Sequence, residues 1–80
     1  MKSASFITNL NSIEKAKSFS TLCSNTACVV ELKSDRWVVN GASILGIFSL
    51  DLSKNVLVLV TGEESAVDDF AEKLKENEFL

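Results

Sequence analysis

Few side chains in this chain are of the types that carry out chemistry. Histidine, the commonest general base in enzymes, is absent. Two cysteines, Cys23 and Cys28, flank a predicted helix-to-strand junction, but Cys23 lies near the carboxyl end of the helix, where nothing would activate a thiolate. We therefore expect both cysteines to be buried as small apolar side chains. With no catalytic cluster, the sequence does not predict an enzyme, a metal site or a cofactor.

A serine at the head of an apolar run offers different chemistry. In NGASILGIFSLDL, residues 40 to 52, a strand would carry a glycine in its middle, so a short helix beginning after Ser43 fits better. Ser43 would then be the N-cap, and Gly41 would let the chain turn sharply. A phosphate on Ser43 would be favoured by the positive end of the helix dipole.

That helix would be more apolar than one contact with a sheet requires. Its apolar residues are Ile44, Leu45, Ile47, Phe48, Leu50 and Leu52. Some of them must face outward, and an exposed apolar patch on a small domain usually marks a partner's binding surface. The alternative is a plain N-cap serine beside a patch that a tight dimer covers.

The remaining polar and aromatic candidates favour structural roles. Trp37 is expected to cover the edge of a core rather than stack on a ligand. Lys15 and Lys17 predict a solvated helix face rather than an anion site. The acidic residues near the carboxyl terminus, by their helical spacing, also predict a solvated face rather than a cation site. These acidic residues are Glu63, Glu64, Asp68, Asp69, Glu72 and Glu76.

The secondary structure that must position these groups follows from periodicity. Residues 4 to 8 predict a short first strand. Apolar positions at Ile13, Ala16, Phe19, Leu22 and Cys23 predict a helix from Ser12 to about Asn25, capped by Asn11 or Ser12. Residues 27 to 33 and 36 to 40 predict a hairpin turning at Ser34 and Asp35, and residues 55 to 61, ended by Gly62, a central strand. Apolar residues from Ala66 to Leu74 predict a last helix. The order β-α-β-β-α-β-α favours an α+β sandwich with helices on one face of an antiparallel sheet.

Composition restricts the class of protein further. The 80 residues are 46% hydrophobic and 24% charged, which is typical of one globular domain spanning residues 1 to 80. A net charge of −3 with scattered Lys and Arg argues against nucleic acid and favours a protein partner. No segment predicts a membrane span or a signal peptide, so we expect a cytoplasmic protein.

The residues themselves resemble a known family. VVNGASILGIFSL, residues 38 to 50, closely resembles the central segment of HPr, the histidine-containing phosphocarrier of the bacterial phosphotransferase system, whose low-GC Gram-positive members carry a V-N-x-K-S-I-M-G-V-M-S-L pattern. TGEESAVDDF resembles the family's last strand-to-helix junction. The resemblance is good over residues 27 to 80 and poor before them. It implies the HPr fold, an open-faced sandwich of four antiparallel strands with three helices on one face.

The resemblance also implies roles for particular residues. Ser43 falls on the family's regulatory serine, and Ile44, Leu45, Ile47 and Phe48 fall on its hydrophobic docking patch. Ala42, however, replaces the lysine that usually precedes the serine. HPr kinase and a transcriptional regulator or other phosphotransferase components are the partners implied, with the chain a monomer or weak dimer.

The family's phosphocarrier site is not matched. Its G-x-H-A-R-P loop corresponds here to NLNSIEKAKSF, so Asn11 or Ser12 takes the place of the histidine. Asparagine cannot form a phosphoramidate, and a serine without a neighbouring base is a poor nucleophile. We therefore expect a regulatory, protein-binding homologue that does not relay phosphate, similar in logic to Crh, the catabolite-repression HPr homologue that lacks the histidine and keeps the serine. The alternatives are an orphan structural or dimerising paralogue and a ferredoxin-like domain that binds a small ligand.

Overall fold

Seven elements follow one another in the predicted order in the computed structural model, which describes residues 1–80. They are β1 (Lys2–Thr8), α1 (Ile13–Ser24), β2 (Val29–Ser34), β3 (Trp37–Asn40), α2 (Ile44–Phe48), β4 (Val56–Gly62) and α3 (Glu64–Glu76). None of the three helices combines the length and the apolar character needed to cross a bilayer. The first strand begins two residues before the predicted segment, at Lys2.

The strands form one antiparallel sheet in the order β1-β4-β2-β3. As predicted, the uncharged strand β4 is central, between β1 and β2. Every second residue of β2 and β4 is buried, because alternate side chains point to opposite faces of a sheet. The buried face packs against all three helices through Phe19, Ile47 and Phe70, each at most 1% exposed. The other face of the sheet has no helix on it, so the fold is the predicted open-faced sandwich.

The hairpin between β2 and β3 differs by one residue from the prediction. Ser34 pairs with Trp37, so the turn consists of Asp35 and Arg36 rather than Ser34 and Asp35. Asp35 has a φ of 54°, a left-handed conformation that aspartate tolerates better than most residues. Trp37 is 66% exposed, so the expectation that it covers the edge of the core is wrong.

Helix α1 begins directly after its capping serine. Of the two predicted caps, Ser12 is the one used, and its Oγ accepts a hydrogen bond from the Lys15 backbone N–H at 3.1 Å. Ala16, Phe19 and Cys23 are buried as the periodicity predicts. Ile13 is not part of this buried face, because it lies in the first turn and is 60% exposed.

The carboxyl-terminal segment closes the core between α1 and β1. Helix α3 ends in a turn in which Glu78 has a φ of 63° and the Phe79 N–H donates to the Leu74 carbonyl at 2.8 Å. The Phe79 ring packs edge-on against Phe19, with ring centroids 5.4 Å apart. The Thr8 hydroxyl donates to the buried Phe79 carbonyl at 2.8 Å, which joins the two ends of the chain.

Candidate functional site

Ser43 is the N-cap of α2, as its position before the apolar run predicts. Its Oγ accepts a hydrogen bond from the Gly46 N–H at 3.1 Å, and its carbonyl accepts from the Ile47 N–H at 3.0 Å. The Ser43 side chain is exposed, and no other side chain hydrogen-bonds its hydroxyl. An exposed hydroxyl on a fixed cap is accessible to a modifying enzyme.

The segment before α2 is held by hydrogen bonds to three parts of the fold. The Asn40 Oδ1 accepts from the Ala42 N–H at 2.8 Å, and the Ser20 hydroxyl of α1 donates to the Ala42 carbonyl at 3.1 Å. The Gly41 N–H donates to the Val30 carbonyl at 2.8 Å. The backbone that presents Ser43 is therefore tied to β2, β3 and α1.

The two glycines here act through close packing. The chain turns at Gly41 and Ala42, as predicted, and the Ser43 N–H donates to the Asn40 carbonyl at 3.0 Å, but Gly41 needs no positive φ for this turn. A Cβ at Gly41 would instead lie 3.0 Å from both Cys23 Sγ and Val30 Cγ1. A Cβ at Gly46 would lie 3.2 Å from Val39 Cβ, so Gly46 lets α2 approach strand β3.

The four apolar residues predicted to contact a partner do not share one environment. Ile47 is fully buried in the core, so its assignment to the docking surface is corrected: it anchors α2 and cannot contact a partner. Leu45 is 80% exposed, Phe48 is 43% exposed, and Ile44 is partly buried against the core. We call Ile44, Leu45 and Phe48 the α2 patch.

Helix α1 contributes a neighbouring surface that the sequence did not single out. Ile44 lines a shallow depression of about 330 Å³ together with Lys17, Ser20 and Thr21 of α1. The exposed Ile13 lies one helical turn before Lys17, on the same side of α1. The sequence offered one signal for the exposure of Ile13. It is the first helical residue after the cap, and a side chain in the first turn often extends beyond the core.

The predicted place of a phosphocarrier residue contains no imidazole. Asn11 is exposed, Ser12 is partly buried, and the Ser12 hydroxyl is engaged by the Lys15 N–H. Lys15 and Lys17 are exposed. No base hydrogen-bonds the Ser12 hydroxyl.

The other candidate residues lie in environments that favour structural roles over functional ones. Cys23 and Cys28 are free and buried, as predicted, and burial raises the pKa of the Cys23 thiol to about 12. All six predicted acidic residues are exposed, with Asp68 paired to Lys2 at 2.7 Å and Asp69 to Lys73 at 3.4 Å. No three acidic or cysteine residues lie together in an arrangement that could hold a metal ion. A cleft of about 270 Å³ between α1 and α3 is lined mainly by polar side chains, unlike most small-ligand sites.

Taken together, the element order, the open four-stranded sheet and the three helices define an α+β sandwich of the HPr type. The chain is similar to the crystal structure of HPr-C-His from Thermoanaerobacter tengcongensis, with a TM-score of 0.69 and 26% identity over 99% of this chain and 96% of that one. It is also similar in fold to the phosphocarrier protein HPr from Bacillus anthracis str. Ames, with a TM-score of 0.67 and 18% identity over 90% of this chain and 96% of that one. No family model and no curated protein matches the sequence.

The predicted resemblance to HPr is confirmed by these structural neighbours, and the chain has an HPr-like fold. It has this fold without a single histidine.

Proposed function

We propose that this chain is a regulatory, protein-binding relative of HPr that does not carry phosphate on histidine. Its partners are proteins related to the phosphotransferase system, contacted through the α2 patch, and Ser43 is its site of phosphorylation by HPr kinase. The observation that carries the proposal is the exposure of Leu45 and Phe48 beside the exposed Ser43 hydroxyl, on a helix fixed to the core by Ile47.

The burial pattern of α2 supports a docking role. A helix that served only to cover the sheet would expose polar residues, yet its two most exposed large side chains are leucine and phenylalanine. Contiguous apolar exposure on a small domain marks an interaction surface. Because Ile47, Gly46 and the Asn40 hydrogen bond hold the helix in place, little conformational entropy would be lost when a partner binds.

The chemistry at Ser43 supports a switch next to that surface. A phosphate there would add about −1.5 to −2 charges at neutral pH, two residues before Leu45 and five residues before Phe48. A partner that buries the α2 patch would then meet either an extra anion or a neutral hydroxyl. Phosphorylation therefore changes affinity by direct electrostatics and needs no rearrangement of the fold.

The amino end of α1 supports the loss of histidine chemistry. The Ser12 hydroxyl is an acceptor for the Lys15 N–H, and Asn11 has no nucleophilic nitrogen comparable to that of an imidazole. Transfer of a phosphoryl group from a donor protein to this loop has no acceptor side chain of the required kind. The chain therefore keeps the α2 patch for binding regulatory partners and lacks a side chain that could carry phosphate at the start of α1.

The docking claim is tested by measuring binding of HPr kinase to the wild type, Leu45→Asp and Phe48→Asp. We expect each variant to weaken binding at least tenfold, or about 1.4 kcal/mol. The control is Val29→Asp, which also places a carboxylate at an exposed apolar position, 65% exposed, but on the sheet face without helices. Unchanged binding in both α2 variants, with amide spectra showing that they are folded, would contradict the claim.

A further inference from the structure

The open face of the sheet is more apolar than a solvated sheet face should be. A half-exposed antiparallel strand alternates apolar and polar residues, but β4 reads VLVLVTG, and Leu57 and Leu59 point away from the core. Both are partly exposed, and no helix covers them. The sequence of β4 is that of a strand covered on both faces, whereas the chain covers only one.

The strand register places the open-face residues in rows across the sheet. Residues directly opposite one another in antiparallel strands point to the same face. The first row across the four strands is Ile7, Leu57, Lys33 and Val38. The second row is Ser5, Leu59, Glu31 and Asn40. The rows lie about 6.7 Å apart, two residues along each strand.

The charges on this face are one anion and one cation side by side. Glu31 and Lys33 are exposed neighbours on the same face of β2, one in each row. Neither forms an ion pair, since the three ion pairs of the chain involve other residues. The face therefore presents complementary charges that the chain itself leaves unpaired.

We propose that the open face binds a second copy of this chain. A two-fold axis lying in the interface, across the strands and between the two rows, places the first row of each copy against the second row of the other. Leu57 then meets Leu59 of the second copy twice, and Lys33 meets Glu31 twice. Four leucines at the centre are flanked by two ion pairs, so the surface is complementary to itself, as a two-fold interface requires.

The size of the face predicts a weak dimer. Four strands about 4.8 Å apart and about 20 Å long present roughly 400 Å² per copy. That is about half of the roughly 800 Å² per partner found in standard interfaces. Dimerisation is therefore concentration-dependent and separate from the α2 patch, which lies on the helical side and stays free for other proteins.

Sedimentation equilibrium up to about 1 mM chain, with charge-reversed variants, tests this dimer. Glu31→Lys creates two Lys–Lys contacts per dimer and should raise the dissociation constant at least tenfold, and adding Lys33→Glu should restore it. An increase in the dissociation constant would be informative. Glu31→Lys makes the net charge of −3 less negative, and this change in net charge would by itself favour association. Glu72→Lys on α3 makes the same change in net charge away from the face, and should leave dimerisation unweakened.

Amide chemical shifts followed over the same concentration range locate the interface. We expect concentration-dependent shifts at Leu57 and Leu59 and none at Leu45 and Phe48. Three results would overturn the proposal: a wild type that stays monomeric throughout, single variants that dimerise like the wild type, or shifts confined to α2. The first two results leave the docking claim untouched, because the kinase-binding experiment tests it separately. Shifts confined to α2 would instead favour the alternative in which a dimer covers the α2 patch.

Discussion

Ile47 and Leu45 lie two residues apart on α2 and should respond in opposite ways to truncation. Ile47→Ala removes a side chain with no exposed surface, which costs the transfer free energy of the lost carbons plus that of the cavity, together about 2 to 5 kcal/mol. Leu45→Ala removes one that is 80% exposed, so the free energy of unfolding should change by less than about 0.5 kcal/mol. A domain of this length has a total stability of roughly 4 to 12 kcal/mol.

Urea unfolding followed by far-UV circular dichroism measures both effects. With a slope of about 1 kcal/mol per molar urea, Ile47→Ala should lower the midpoint by at least about 2 M and Leu45→Ala by no more than about 0.5 M. Binding to HPr kinase should show the reverse order: weakened by Leu45→Ala and retained by the folded fraction of Ile47→Ala. The division of α2 into anchor and docking surface would be refuted if Leu45→Ala were the more destabilising change.

Three further predictions concern the carboxyl-terminal closure and the thiols. Thr8→Val, although more apolar, should lower the free energy of unfolding by about 1 to 3 kcal/mol, because the buried Phe79 carbonyl loses its donor; a Thr8→Val protein as stable as the wild type in urea would contradict this. Glu78→Gly should raise the melting temperature by relieving a left-handed conformation whose cost of about 1 to 2 kcal/mol exceeds the extra backbone entropy of glycine, and a lower melting temperature than Glu78→Ala would disprove that reason. Cys23 and Cys28 should react with a thiol-specific reagent only after unfolding, with rapid labelling of the native protein at pH 8 as the contradicting result. Because burial raises the pKa of the folded Cys23 thiol from its ordinary value of 9.0 to about 12, the stability that this group contributes is present below pH 9 and is lost as the pH rises through 12.

The sequence predicted the elements where periodicity was strong. The valine and leucine run of β4 and the three-and-four spacing of Ala16, Phe19 and Cys23 each correspond to an observed element. The capping serines predicted the first residues of α1 and α2, since a cap depends on one local hydrogen bond. These features are local, and a short window of sequence contains the information for them.

What the sequence could not predict depends on contacts distant along the chain. Leu10 and Phe79 lie outside every periodic segment, yet both are buried, Phe79 because its ring meets Phe19 sixty residues earlier. On α2, the sequence pattern did not distinguish Ile47, which is buried, from Leu45, because a helix of five residues is too short for its phase to define a face. The exposure of Trp37 follows from its place beside the hairpin turn, at the end of the edge strand β3.

We propose that this HPr-like chain accepts phosphate on Ser43 and not through the phosphocarrier route. The most direct test is the mass of the purified protein after incubation with Enzyme I and phosphoenolpyruvate, and separately with HPr kinase and ATP, with Ser43→Ala as the control. We expect the mass of one phosphate to be gained only with the kinase and to be absent in Ser43→Ala. A phosphate transferred from Enzyme I, or one that persists in Ser43→Ala, would contradict the account.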